Sequence, residues 1–160
     1  MERMNKMELT KPGMALTDTI LDLFRVNSLL LLRGDRLVAG LGLTSARWQV
    51  LGAIVYAQRA QPVAWLARDL GSNRQNVQRI VNDLHKAAFV EFQPNPHHRR
   101  AHLVVLTKKG KAAFERAMQL WTPWANSLAD GHSPKEIGSM AAIMKSLRRK
   151  LEEGRDADDE

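Results

Sequence analysis

Three observations predict a mainly α fold with a small β-hairpin. Apolar residues recur at helical spacing along most of the chain, as in Val77, Ile80, Val81, Leu84 and Ala88. Two short runs, residues 89–93 and 102–106, have strand-like composition on either side of an NPHHRRA turn. Directly before them, helix, Gly71-containing turn and helix follow one another in helix-turn-helix order. A hairpin behind such a pair makes a winged helix-turn-helix. Further helical sequence at both ends flanks it with N- and C-terminal dimerisation helices.

The first helix is expected over residues 16–39, with Thr17 or Thr19 near its start. Ile20, Leu21, Phe24, Leu31 and Leu32 give it a broad apolar face, widened by Leu29, Leu30 and Val38. A helix this apolar needs more than one partner surface. Gly40 and Gly42 end it. Thr44 is the expected N-cap of the second helix, which aligns Trp48, Leu51, Ile54 and Val55. Gln61 and Pro62 break the chain, and a short third helix over residues 63–70 buries Leu66, Ala67 and Leu70. Gly71 supplies the left-handed turn after it. Ser72 and Gln75 then form an S-x-x-Q capping box, which starts the fourth helix at Asn73.

After the hairpin, Thr107 caps a long fifth helix. On it Phe114, Ala117, Met118, Trp121, Trp124, Ala125 and Leu128 repeat along one face. Pro123 inside that pattern deletes a backbone donor and predicts a kink. Asp130 and Gly131 end the helix. Ser133, Pro134 and Glu136 then provide a cap, an N1 proline and a capping-box acid for the sixth. There Ile137, Met140, Met144, Leu147 and Leu151 make a seam that wants a partner helix. The expected organisation is an N-terminal arm and dimerisation helix (residues 1–43), a winged helix-turn-helix lobe (44–106), C-terminal dimerisation helices (107–153) and a disordered acidic tail (154–160).

The totals narrow the function classes. At 160 residues and 44% hydrophobic content the chain suits one compact domain or a domain with dimerisation extensions. Its net charge is +7, yet residues 152–160 hold six acids and one arginine, net −5, which leaves +12 on residues 1–151. A basic body suits a polyanionic partner. The absence of cysteine excludes disulfides, thiolate metal sites and thiol-based peroxide sensing. The N-terminal residues lack the apolar segment of a secretory signal. The most apolar early run is interrupted by Arg25, Arg33, Asp35 and Arg36, so no membrane span is expected and a cytoplasmic protein is. No glycine-rich phosphate loop, Ser-His-Asp spacing or paired carboxylates point to an enzyme, and no cofactor is expected.

The polar face of the fourth helix carries the functional signal. Solvated faces favour Lys and Glu, whereas this one offers Asn, Gln and Arg, which pair bidentately with adenine and guanine in the major groove. Gln75, Asn76, Gln78 and Arg79 are the candidates for base edges of double-stranded DNA. Ser72, Asn73 and Arg74 suit phosphates at the helix N-terminus, and Lys108 and Lys109 add backbone contacts. His97, His98, Arg99 and Arg100 occupy the wing, where an arginine inserted into a narrow minor groove reads shape. His97, His98 and His102 form the one metal-like cluster, but nothing completes four ligands, so no metal is expected. Trp48, Trp65, Trp121 and Trp124 suit core packing, while Trp48, Trp121 and Trp124 also make a candidate ligand pocket near Pro123. The competing reading is a winged helix turned protein-interaction module, which predicts salt-insensitive partner binding.

Several segments together resemble the MarR (multiple antibiotic resistance regulator) family of transcription factors. They are LTSARWQVL at Leu43, the LARDLGSNRQNVQRIVNDL block, the wing NPHHRRAHLVVLT and the LTKKG that opens the fifth helix. The resemblance covers about residues 15–150. It implies a homodimer whose terminal helices pair and whose two wings grip one palindromic operator, and control by a small ligand, often an aromatic acid or phenol. A repressor that occludes a promoter is the expected mode of action. Two positions depart from the family pattern: acids usual in the wing are replaced by Asn95 and His98, and the Gly-Leu usual after the recognition helix is Ala88-Phe89.

Overall fold

The structure is a computed structural model that describes residues 8–158. Its helices are α1 (Lys11–Val38), α2 (Ser45–Tyr56), α3 (Val63–Asp69), α4 (Arg74–Lys86), α5 (Lys108–Ala129) and α6 (Pro134–Asp158). Its strands are β1 (Gln61–Pro62), β2 (Val90–Gln93) and β3 (Leu103–Leu106). Among the described residues no helix is long and apolar enough to cross a membrane.

Local chemistry sets most boundaries. Thr10 caps α1 by accepting from the Gly13 amide at 3.1 Å, with a proline in the first turn. The helix therefore starts before the expected position. Thr17 and Thr19 lie inside it and donate their hydroxyls to the Gly13 and Ala15 carbonyls. A short 3-10 turn, Ala39–Leu41, follows α1, and Gly42 takes the left-handed conformation that releases the chain. Thr44 caps α2, accepting from the Arg47 amide.

The expected hairpin is present as β2 and β3, and a short third strand joins it, giving the antiparallel order β1-β3-β2. Gln61 pairs with Val104 and Pro62 with Leu103. Two residues carry no alternation to detect, and proline is tolerated there because β1 is an edge strand.

The chain forms two compact units, Met1–Leu120 and Trp121–Glu160. The first has a core of Val38, Leu51, Leu66, Val77, Val81, Leu84, Val90, Val104 and Phe114, drawn from α1 to α5 and the sheet. Ser45 is buried where α1 meets α2. Its amide donates to Asp35, its hydroxyl donates to the Leu31 carbonyl, and a Cβ on Gly34 would collide with its oxygen. In the second unit α5 continues past Pro123 to Ala129, and Gly131 turns the chain at φ 80°. A reciprocal capping box opens α6: Ser133 N–H donates to Glu136 at 2.8 Å and Glu136 N–H to Ser133 Oγ at 3.2 Å. The acidic tail expected to be disordered from residue 154 is helical to Asp158. Ion pairs Arg148–Glu152 and Arg149–Glu153 at i,i+4 favour that continuation. Residues 159 and 160, with the first seven of the arm, lie outside the described residues.

Candidate nucleic-acid interface

α3 and α4 are joined by a tight turn whose hydrogen bonds form a Schellman motif. Gly71 N–H donates to the Arg68 carbonyl and Ser72 N–H to the Ala67 carbonyl, with Gly71 at φ 60°. Ser72 is thereby committed to ending α3. The N-cap of α4 is Asn73, whose Oδ1 accepts from the amides of Gln75 and Asn76 at 2.8 and 3.3 Å. This corrects the expected Ser72–Gln75 capping box. Asparagine caps as well as serine does, and Gln75 is left to project from the first turn.

One face of α4 is buried through Val77, Val81 and Leu84, and Arg74, Gln75, Asn76, Arg79 and Asn82 are exposed, with Gln78 half-buried. Two bonds order this face. Arg79 donates to Asn76 Oδ1 at 2.9 Å, and Gln78 Nε2 donates to Asn82 Oδ1 at 3.0 Å. Three of the four base-reading candidates are therefore held by side-chain bonds, Arg79 with Asn76 and Gln78 with its neighbour Asn82, which lowers the side-chain entropy lost on contact. Behind them, Arg47 of α2 meets Asp83 of α4 at 3.6 Å and ties the helix to the core.

A second Schellman motif ends α4, with Phe89 N–H bonded to the Leu84 carbonyl and Ala88 N–H to that of His85. The left-handed residue is Ala88 at φ 59°. Lys109 Nζ donates to the Ala87 carbonyl at 2.7 Å and stands 4.6 Å from the Phe89 ring centroid. A cation at a helix C-terminus is favourable, so the Lys109 expected at a phosphate is directed to the end of α4, while Lys108 stays exposed. Thr107 caps α5 through Gly110 N–H and donates its own hydroxyl to the Ala88 carbonyl.

The wing is closed by Asn95. Its Oδ1 accepts from His97 N–H at 3.0 Å and its Nδ2 donates to the Ala101 carbonyl at 2.9 Å. A carboxylate at this position accepts the first bond but has no proton for the second, so the departure from the acidic pattern has a structural use. His97, His98, Arg99 and Arg100 are exposed on the tip that Asn95 holds. His102 lies back along the hairpin, 6.4 Å from the Phe92 ring. Among the described residues no group of three or more His, Asp or Glu is arranged to hold a metal ion.

Wing and α4 share a cleft of about 910 Å³. Arg74 and Gln78 line it from the helix, and His97, His98 and Arg100 from the wing. The structure thus brings candidate residues from both elements onto one surface. Arg59 and Trp65, which sequence reasoning did not select, also line it. Trp65 was expected in the core but is 39% exposed, with the Arg59 guanidinium 4.8 Å from its ring centroid. The available signal was the W-x-x-R spacing to Arg68, which places an indole and a guanidinium on one side of a helix.

The tryptophans of the candidate ligand pocket fall in different units. Trp48 packs against the core of the first from α2. Trp121 and Trp124 meet edge to face at 5.3 Å in the second.

Comparison with known proteins places these features in a wider set. A family model described as "MarR family" matches residues 41–101. An uncharacterized protein of Mycobacterium tuberculosis is 36% identical over 132 residues, spanning 82% of this chain and 89% of the relative. The transcriptional activatory protein BadR of Rhodopseudomonas palustris is 34% identical over 95 residues, 58% of this chain and 54% of BadR. A crystal structure of a mutant MarR from E. coli complexed with operator DNA superposes with TM-score 0.67 at 26% identity, covering 82% of this chain and 97% of that one.

Proposed function

This chain belongs to the MarR family of transcriptional regulators, and from that premise we propose that it is a ligand-responsive dimeric repressor acting on a palindromic operator. One observation carries the reading: a recognition face of amide and guanidinium groups shares a cleft with a basic wing tip. In the proposed complex Gln75, Asn76, Gln78 and Arg79 meet base edges in the major groove. Arg74 and Lys108 meet phosphates, and Arg99 and Arg100 enter the adjacent minor groove with His97 and His98 beside them.

Two such surfaces are needed for a palindrome, with recognition helices about 10 bp apart. The support for a second copy is the exposed apolar surface of α1, where Leu21, Phe24, Leu29 and Leu32 are each about half-exposed or more. α6 offers another in Met140 and Ile143. An aromatic effector represses or releases DNA only if it binds the two dimer geometries differently. The Trp121–Trp124 pair is the fluorescent reporter for its binding. BadR's activatory name supports a second reading, in which the same complex lies upstream of a promoter and recruits transcription rather than blocking it.

The test is selection of randomised duplexes on the purified chain, followed by footprinting of the winner and a salt titration. A palindromic consensus with steep salt dependence is the expected outcome. Enrichment without symmetry, or binding insensitive to salt, overturns the dimeric sequence-specific reading in favour of a protein-interaction module. A footprint over the promoter distinguishes repressor from activator.

A further inference from the structure

Arg59 and Trp65 lie outside every DNA contact assigned above, yet they form one wall of the cleft between wing and α4. The guanidinium of Arg59 stands 4.8 Å from the Trp65 ring centroid, and that of Arg68, one turn along α3, stands 5.9 Å from the same centroid. The quadrupole of an indole ring attracts such cations. A stacked guanidinium has fewer rotamers to lose when it meets an anion. Among the described residues no carboxylate is ion-paired with Arg59, Arg68, Arg74 or Arg100. No Asp or Glu lines the cleft. Arg59, Arg74 and Arg100 thus surround a space with Trp65 and Phe92 in its apolar lining, and among the described residues no carboxylate answers their charge.

Duplex geometry says what fits there. A single sugar-phosphate strand separates each major groove from the next minor groove. A protein with α4 in the first and the wing in the second takes that strand between them, where the cleft lies. We propose that the cleft seats this intervening sugar-phosphate strand, with Arg59 stacked on Trp65 as a preordered phosphate contact. The inference rests on the DNA-binding reading and extends it to the loop before β1 and to α3. Because the contact is to phosphate, it is independent of base sequence, so a mixed-sequence duplex is a sufficient probe and no operator need be known.

The experiment titrates the full chain with such a duplex across a salt series, comparing wild type, Arg59→Gln, Trp65→Leu and the double variant. Arg59 is exposed, so Arg59→Gln is expected to keep the wild-type unfolding midpoint. Its affinity is expected to fall several-fold, and the slope of log K against log salt to become shallower by roughly 0.9 per bound protomer. Trp65→Leu is expected to weaken binding when Arg59 is present and to have little effect in the Arg59→Gln background. An unchanged slope and affinity for Arg59→Gln overturns the phosphate contact. An equal cost of Trp65→Leu in both backgrounds overturns the stacking role. Failure of the wild-type chain to bind the duplex even at low salt is a different result, which removes the DNA-binding reading itself.

Discussion

Ala88 shows how one side chain records the geometry of a junction. It is the left-handed residue that ends α4, and its carbonyl accepts the Thr107 hydroxyl at 2.7 Å, so the conformation is fixed from both sides. A Cβ in that region costs about 1–2 kcal/mol, part of which glycine gives back through its freer unfolded chain. Ala88→Gly is therefore expected to stabilise the protein by about 1 kcal/mol, read as a higher urea midpoint. A midpoint at or below wild type would show that the left-handed alanine is not strained. Gly110 is the opposite case. A Cβ there would overlap the Phe89 carbonyl oxygen, which is backbone and unable to yield, so this glycine lets α5 start close against the end of α4.

At the scale of elements, α4 was the most legible part of the chain, and its function is the most directly testable. Arg79→Ala is expected to cost roughly 1–3 kcal/mol in operator binding and relax preference at one position in each half-site. Equal weakening on all duplexes would place Arg79 on phosphate instead. The periodicity of Val77, Ile80, Val81 and Leu84 announced the helix because burial on one side leaves a 3.6-residue signature. Its cap was misplaced by one residue, since Ser72 and Asn73 are equally good cap types and only the Schellman turn decides between them. β1 was illegible because two residues have no period, and the Arg59–Trp65 wall because its partners belong to different elements. The α6 capping box was fully legible, and it titrates. The Ser133 amide, then the Ser133 hydroxyl, hold the Glu136 carboxyl below its ordinary value of 4.5, helped by nearby His132 and opposed by slight desolvation. A depressed carboxylate stabilises above its unfolded value and loses that contribution as pH falls through the folded one. The Ser133 amide resonance is accordingly expected to shift as pH drops below about 4.5 and to stay flat in Glu136→Gln. The same titration in both chains would assign the shift to another group.

For the whole molecule, the decisive quantity is the apolar surface that one chain leaves uncovered. Residues 29–32 of α1 are four consecutive leucine side chains, so they point around the helix rather than to one side. All four are at least 38% exposed, and Phe24 is 64% exposed. A helix with so broad an apolar surface needs more than one partner surface, and a patch of this kind on a lone chain marks an interaction site. The covering partner in the proposed function is a second copy, which also aligns two recognition helices on one duplex face. Phe24→Glu places a charge in that interface, where burial without a partner is costly. The variant is expected to sediment as a monomer at concentrations where wild type is dimeric, and to bind the selected operator with the weak affinity of a single half-site. Its affinity for an isolated half-site is expected to match wild type, because α4 and the wing are untouched. A Phe24→Glu chain that remains dimeric with full operator affinity would show that α1 is covered by something other than its own copy.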